Sequence, residues 1–367
     1  MSLQELGADI DWPDREAARA AAQRWDALTK PVGSLGRLEE LGTWWCSTRG
    51  SCPAAPPADP VLLLVAGDHG VARTAGTSAY PPEVTAQMVR AFLRGEAAAN
   101  ALARTAGARV RVIDASVDAE ADYADDLAPG LARHRIRRGS GSIDREDAMT
   151  TDEAERAVEL GVAIVDDAVD SGADLLLLGD MGIGNTTVSA VITALLAPGD
   201  VVSLVGRGTG IDDATWMRKC AAVRDAVRRG RPDKGSPLDL LARVGSPDLA
   251  VMVGALLRAG ARRTPVILDG PLTTAAALIA HRVAYKSREW WQASHLSVEP
   301  SHAAAYARLD LSPLLDMRMR LGEGTGALLA LPLVRAAAAT LLEMRTFEEL
   351  GVSRSTSDGD DRMLNVP

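Results

Sequence analysis

The sequence predicts an α/β protein: a mostly parallel sheet with helices on both faces. Three observations carry that prediction. Short, continuous apolar runs recur through the middle of the chain, and most stop at a turn containing glycine or aspartate. Longer stretches of helical period separate them. Both chain ends are alanine-rich and helical, with no strand between the helices. Alternating strand and helix signals imply a parallel sheet covered on both faces, and such sheets bind ligands beyond the carboxyl ends of their strands.

In chain order, residues 14–28 read as a helix, and Arg49 to Pro60, with prolines at 53, 56, 57 and 60, as a linker. Val61 to Ala66 is all apolar and runs into Gly67-Asp-His-Gly70, the pattern of a buried parallel strand. Val84, Met88, Phe92 and Ala99 keep helical spacing across Glu83 to Ala103. Val110 to Ala115 is a second strand. Thr151-Asp-Glu opens a helix with capping chemistry, and Gly172 stops it after Ser171. Strands follow at Leu175 to Asp180, Val201 to Val205 and Pro265 to Gly270, with helices over Ala214 to Arg229, Leu238 to Ala261 and Leu272 to Ala284. Residues 325–344 form the closing helix, and polar, aperiodic Ser353 to Pro367 reads as a disordered tail. The expected domains are a small helical one from 1–58 and 325–352, and a large α/β catalytic one over 59–324.

Forty Lys and Arg against 49 Asp and Glu give the 367-residue chain a formal charge of −9, which argues against a nucleic-acid partner held by a basic field. Cys46, Cys52 and Cys220 are too few and too odd in number for a disulfide framework, so a reducing cytoplasm is expected. The five histidines and three cysteines show no zinc-ligand spacing, and no metal is expected. The N-terminus lacks the charged and apolar regions of a leader. No uninterrupted apolar run reaches about 18 residues, so no membrane span is expected.

Two motifs imitate nucleotide sites. Gly179-Asp-Met-Gly-Ile-Gly-Asn185-Thr186 has the spacing of a triphosphate loop, but Asn185 stands where the lysine belongs; the loop's N–H groups suit a monophosphate. Val162 to Gly172 imitates a diphosphate-ribose loop, but Ala157, Leu160, Ile164 and Ala168 keep helical period, so Asp166, Asp167 and Asp170 read as a solvated helix face. The glycine turn Gly206-Arg-Gly208-Thr-Gly210 allows close backbone approach to a phosphate, with Lys219 as a counter-charge. Glu323 is set between Gly322 and Gly324 before an apolar helix. That pattern suits a carboxylate presented to a small ligand.

Six blocks in register, Lys30-Pro-Val-Gly-Ser-Leu-Gly-Arg-Leu-Glu39, Gly67-Asp-His-Gly-Val71, Gly179 to Thr187, Leu268-Asp-Gly270, Ser294-His-Leu-Ser297 and Met319 to Ala327, resemble the nicotinate-nucleotide:dimethylbenzimidazole phosphoribosyltransferases from about residue 15 to 345. The resemblance implies a homodimer with a Rossmann-like large domain and a small helical domain made from both termini. It implies transfer of phosphoribose from nicotinate mononucleotide to 5,6-dimethylbenzimidazole, giving α-ribazole 5′-phosphate for the lower ligand of cobalamin, without a cofactor. Glu323 matches the family's catalytic glutamate, and Asp180 and Asp269 fall at acidic positions near the reacting centre. Asp180 replaces a family Glu, one methylene longer. Gly182, Lys219, Ser297, Leu321 and Gly322 match positions that hold the nucleotide, joined by Asn185, Thr186, Gly206 and Gly208 in the glycine turns. Tyr80 and Met88 stand where a serine and a glutamine face the base, with Gln87 and Met181 beside them, so acceptor choice is expected to be altered or relaxed. A non-catalytic binder of the same fold and a nucleotide hydrolase are the alternative readings.

Overall fold

The computed structural model describes residues 2–354. Five parallel strands lie in the order β2-β1-β3-β4-β5, with helices on both faces of the sheet: β1 (Pro60–Gly67), β2 (Arg109–Ser116), β3 (Leu175–Met181), β4 (Val266–Leu268) and β5 (Trp291–Ala293). Every residue of β1 is buried, which explains its unbroken apolar run. From β1 the chain crosses first to β2 on one side and then to β3 on the other. The carboxyl ends of β1 and β3 therefore flank the point where strand order reverses, the place where such sheets leave a crevice.

The strand expected at Val201 to Val205 is instead a 3-10 turn, Val202–Leu204. Asp200 causes this: its side chain accepts the Ser203 N–H at 3.1 Å and its carbonyl accepts the Ser203 hydroxyl at 2.7 Å, winding the segment before it can extend. Two long helices are each broken in two. Gly95, left-handed at φ 76°, ends Val84–Arg94 before Ala98–Ala106 begins, and Gly245-Ser-Pro247 separates Pro237–Val244 from Pro247–Ala261. Helices Arg37–Arg49 and Pro300–Leu309, and the short β5, have no counterpart in the sequence reading.

The chain forms two units, Met1–Asp11 with Asp59–Leu331, and Trp12–Ala58 with Pro332–Pro367. The first eleven residues and 325–331 thus belong with the sheet, unlike the division at 58 and 325. Leu3, Leu6 and Ile10 are the reason at the N-terminus, since they are buried in the sheet unit's core. In the second unit, Arg24 Nε donates to the Leu341 carbonyl at 2.7 Å and Trp45 Nε1 to the Ala55 carbonyl at 2.9 Å. Lys30 pairs with Glu39 at 2.7 Å there, which accounts for two charges of the Lys30–Glu39 block. Helix Thr325–Glu343 is long and apolar enough to cross a membrane by length and composition; more than half of its most apolar stretch is already buried, and Arg335 interrupts it. Apart from residues 353 and 354, which are irregular, the expected disordered tail lies outside the described residues.

Candidate active site

Glu323 sits on a turn in which three successive residues, Gly322, Glu323 and Gly324, are left-handed at φ 78°, 59° and 77°. Glycine adopts this conformation freely, but for a glutamate it costs roughly 1–2 kcal/mol. The surrounding structure enforces it. The Glu323 N–H donates to the Asp180 carbonyl at 3.2 Å, and the turn packs so closely on β3 that a methyl group at Gly179 would lie 2.5 Å from the Gly324 nitrogen. Glu323 is buried, and its Oε2 has no hydrogen-bond partner among the described residues. Burial pushes its carboxyl up to about 7, with the like charges of Asp269 and Asp180 adding to the effect.

This packing yields a prediction. Gly179→Ala forces backbone against backbone, so stability should fall by about 1–3 kcal/mol. Turnover should fall further, by one to two orders of magnitude, because a displacement of about 1 Å at a reacting group has that effect. Urea midpoints and kcat measured together check this; an unchanged kcat would show that the turn's position is not critical.

Asp180 ends β3 fully enclosed. Burial pushes its carboxyl to about 7, reinforced by Asp248 and Asp269 and opposed by His69 and by the Asn185 amide, which donates to Oδ2 at 2.6 Å. Asn185 therefore serves Asp180: one N–H of its amide is spent on that carboxylate and its Oδ1 accepts the Thr186 N–H at 2.7 Å, which leaves the second amide N–H for a ligand. Asp269 is also engaged. Its two oxygens accept the N–H groups of Gly324 and Ala327 at 3.0 Å each, capping helix Thr325–Glu343 from beyond β4. Asp269 thus anchors the Glu323 turn through both of its oxygens. Burial raises its carboxyl despite His295 nearby and those N–H donors.

Lys219, on helix Asp213–Gly230, is fully buried, contrary to the simple reading of a helix lysine as exposed. Its ammonium donates to Thr186 Oγ1 at 2.8 Å and to the Gly206 carbonyl at 3.1 Å, joining the β3 loop to the glycine turn. Burial works to discharge it, opposed by Glu299. Glu299 Oε1 accepts the Gly208 N–H at 2.8 Å, and a methyl group at Gly206 would lie 2.2 Å from the same carboxylate and displace it. Ser297 is buried beside them, its Oγ accepting the Glu299 N–H at 3.3 Å. Gly182 also admits no side chain, since a Cβ would meet the Gly67 carbonyl at 2.0 Å. Leu321 is 54% exposed at the entry to the Glu323 turn, and the Gly322 carbonyl accepts the Thr325 N–H at 2.9 Å.

Helix Val84–Arg94 reaches the same strand ends through Thr85, whose hydroxyl donates to Asp68 at 2.6 Å and accepts the Ile183 N–H at 3.2 Å. Met88, one turn from Thr85, is half-buried, whereas Gln87 is exposed. Neighbours on a helix point about 100° apart, so the two side chains face different ways, and Met88, three residues on from Thr85, is the one on the Thr85 side. Met181 is half-buried at the end of β3. Tyr80 is 53% exposed, on a loop tied down where the Ala79 N–H meets Thr209 Oγ1 at 3.2 Å. The sequence reading assigned no role to His69, Asp68, Thr85, Asp248 or Glu299. Gly67-Asp-His-Gly70, at a strand's carboxyl end, was the available signal for the first two.

A family model described as "Phosphoribosyltransferase" matches residues 10–352. The chain is 55% identical over 346 residues to nicotinate-nucleotide–dimethylbenzimidazole phosphoribosyltransferase of Mycolicibacterium paratuberculosis, covering 94% of this chain and 97% of the relative. It is 53% identical over 355 residues to the protein of that name from Mycobacterium tuberculosis, covering 97% of each. Among solved structures, CobT from Thermus thermophilus superposes with a TM-score of 0.86 at 43% identity, covering 93% of this chain and all of that one. With fold, site and sequence in agreement across nearly its whole length, the chain belongs to the nicotinate-nucleotide–dimethylbenzimidazole phosphoribosyltransferase family.

Proposed function

We propose that the protein transfers phosphoribose from nicotinate mononucleotide to 5,6-dimethylbenzimidazole or a related base. The products are nicotinate and α-ribazole 5′-phosphate, the nucleotide of cobalamin's lower ligand. The observation that carries the mechanism is Glu323: a buried carboxylate with an unpartnered oxygen and a pKa raised to about 7, fixed on a strained turn beyond the strand ends. Nicotinate in the nucleotide is a pyridinium, so it leaves with a neutral ring nitrogen and needs no general acid. The acceptor must instead lose an N–H proton as its other nitrogen bonds to the anomeric carbon. Glu323 takes that proton as general base, and a pKa near neutrality suits the task. Attack opposite the leaving ring turns a β-linkage into an α-linkage.

Lys219, with N–H groups of the Gly182 and Gly206 turns other than that of Gly208, which Glu299 takes, holds the 5′-phosphate. Met88, Met181 and Tyr80 border the acceptor, and an aromatic and a thioether in place of polar groups favour a broader choice of base. The reaction balances without a metal or organic cofactor. The same reading takes the protein as a cytoplasmic homodimer without a membrane span or nucleic-acid partner; the net charge of −9 argues against a nucleic-acid partner, and three free cysteines suit a reducing compartment.

Incubation with nicotinate mononucleotide, with and without dimethylbenzimidazole, benzimidazole, adenine or a phenol, tests the reading. An α-riboside phosphate formed only with a base supports transfer; free ribose phosphate means a hydrolase, and no turnover means a binding protein. A chelator should leave the transfer rate unaltered, and a rate restored only by added metal would overturn this mechanism.

A further inference from the structure

His69 and Asp248 remain buried and unused by this mechanism. His69 Nε2 lies 3.3 Å from Asp248 Oδ2, and both side chains are wholly enclosed. Neither ring nitrogen and neither carboxylate oxygen has a hydrogen bond among the described residues. Glycines hold the two groups in place: a methyl group at Gly182 would lie 2.9 Å from His69 Nε2, and one at Gly67 3.1 Å from the Asp248 carboxyl carbon. An isolated carboxylate in such surroundings is costly, but a charged pair is far less so. The groups facing the ring are all acidic: Asp68 from its own segment, Asp180 from β3, and Asp248 from helix Pro247–Ala261. Burial alone would discharge the imidazole, but these carboxylates outweigh it and raise its pKa. Asp180, in turn, faces Asn185, Asp248, Asp269 and His69, and its charge is felt by Glu323.

We propose that His69, braced by Asp248, is a positioning cation for the transfer reaction: its imidazolium keeps Asp180 ionised, and ionised Asp180 favours the proton's arrival on Glu323. The inference rests on the functional reading above. In the step itself the acceptor N–H bond breaks, a Glu323 O–H bond forms, and the acceptor nitrogen bonds to the anomeric carbon as the bond to nicotinate breaks. His69 keeps its proton throughout. Asp180 remains an anion beside the now neutral Glu323, an arrangement that two neighbouring carboxylates prefer to sharing two charges.

The test uses the full-length enzyme and its His69→Gln variant. Loss of the cation makes the doubly ionised Asp180–Glu323 pair harder to form, so the acid limb of the kcat profile should move to higher pH by about one unit. Turnover should then fall about fivefold at neutral pH and recover at alkaline pH, with the KM for nicotinate mononucleotide unchanged. An equal loss at every pH would overturn the proposal. Histidine NMR gives a readout independent of turnover. One imidazole, identified by its absence in His69→Gln, should stay protonated above the usual histidine range, and in Asp248→Asn it should lose its proton at lower pH. If His69→Gln does not fold, Asp248→Asn alone decides: no histidine resonance titrating lower than in the native enzyme refutes the pair. A native enzyme that forms no riboside sinks the functional reading, whereas a transferring enzyme with an unmoved limb sinks only this inference.

Discussion

Glu323→Gln should lower kcat by about two orders of magnitude or more, the range usual for losing a general base. Glutamine fills the same space on the same left-handed turn, and the backbone bonds that fix the turn, from Glu323 N–H to Asp180 and from Asp269 to Gly324 and Ala327, do not involve the replaced group. The KM for nicotinate mononucleotide should therefore stay within a few-fold and the melting temperature should not fall. A small rise is expected, since a buried carboxyl whose pKa is lifted to about 7, with Oε2 unpartnered, opposes folding when it is ionised. In the native enzyme the base works only when ionised, so turnover should fall as pH drops through about 7. That limb belongs to Glu323 and Asp180 together, because both carboxyls are pushed to about 7 and each is sensed by acidic neighbours. The residual activity of Glu323→Gln should no longer follow the native limb. A variant with near-native turnover would remove Glu323 from the role of base.

How much of this could be read from the sequence depended on whether a feature was local. β1 and β3 were legible because strands buried on both faces must be apolar throughout. Val201 to Val205 is equally apolar, but the Asp200 and Ser203 hydrogen bonds that wind it up compete locally with strand formation, a conflict that hydropathy does not register. Glu323 stood out because two glycines flank it, and that same pattern now accounts for its strained backbone. Asn185 was only partly legible, because loop spacing suggests a phosphate ligand while its bond to Asp180 becomes apparent only in three dimensions. His69 and Asp248 lie 179 positions apart in the chain and meet only when β1 and helix Pro247–Ala261 pack, so neither neighbourhood gives the other away.

Lys219→Met should raise the KM for nicotinate mononucleotide by about one to two orders of magnitude, while the KM for the base changes by a few-fold at most. The size follows from losing a hydrogen bond to a charged group, about 1.5–3 kcal/mol. An ammonium has three donors, and Lys219 commits two, to Thr186 and to the Gly206 carbonyl, which leaves one for an arriving phosphate. Enclosure strengthens that contact and also explains how a chain of net charge −9 holds an anion without a basic surface. The substitution has a structural cost, because Glu299 loses the cation beside it while still accepting the Gly208 N–H. The double variant Lys219→Met with Glu299→Gln separates the two effects. Removing the stranded charge should recover stability in thermal melts, but affinity for the nucleotide should stay low. Equal losses for nucleotide and base, or affinity recovered together with stability, would make Lys219 a brace for the glycine turn and leave the phosphate to backbone N–H groups alone.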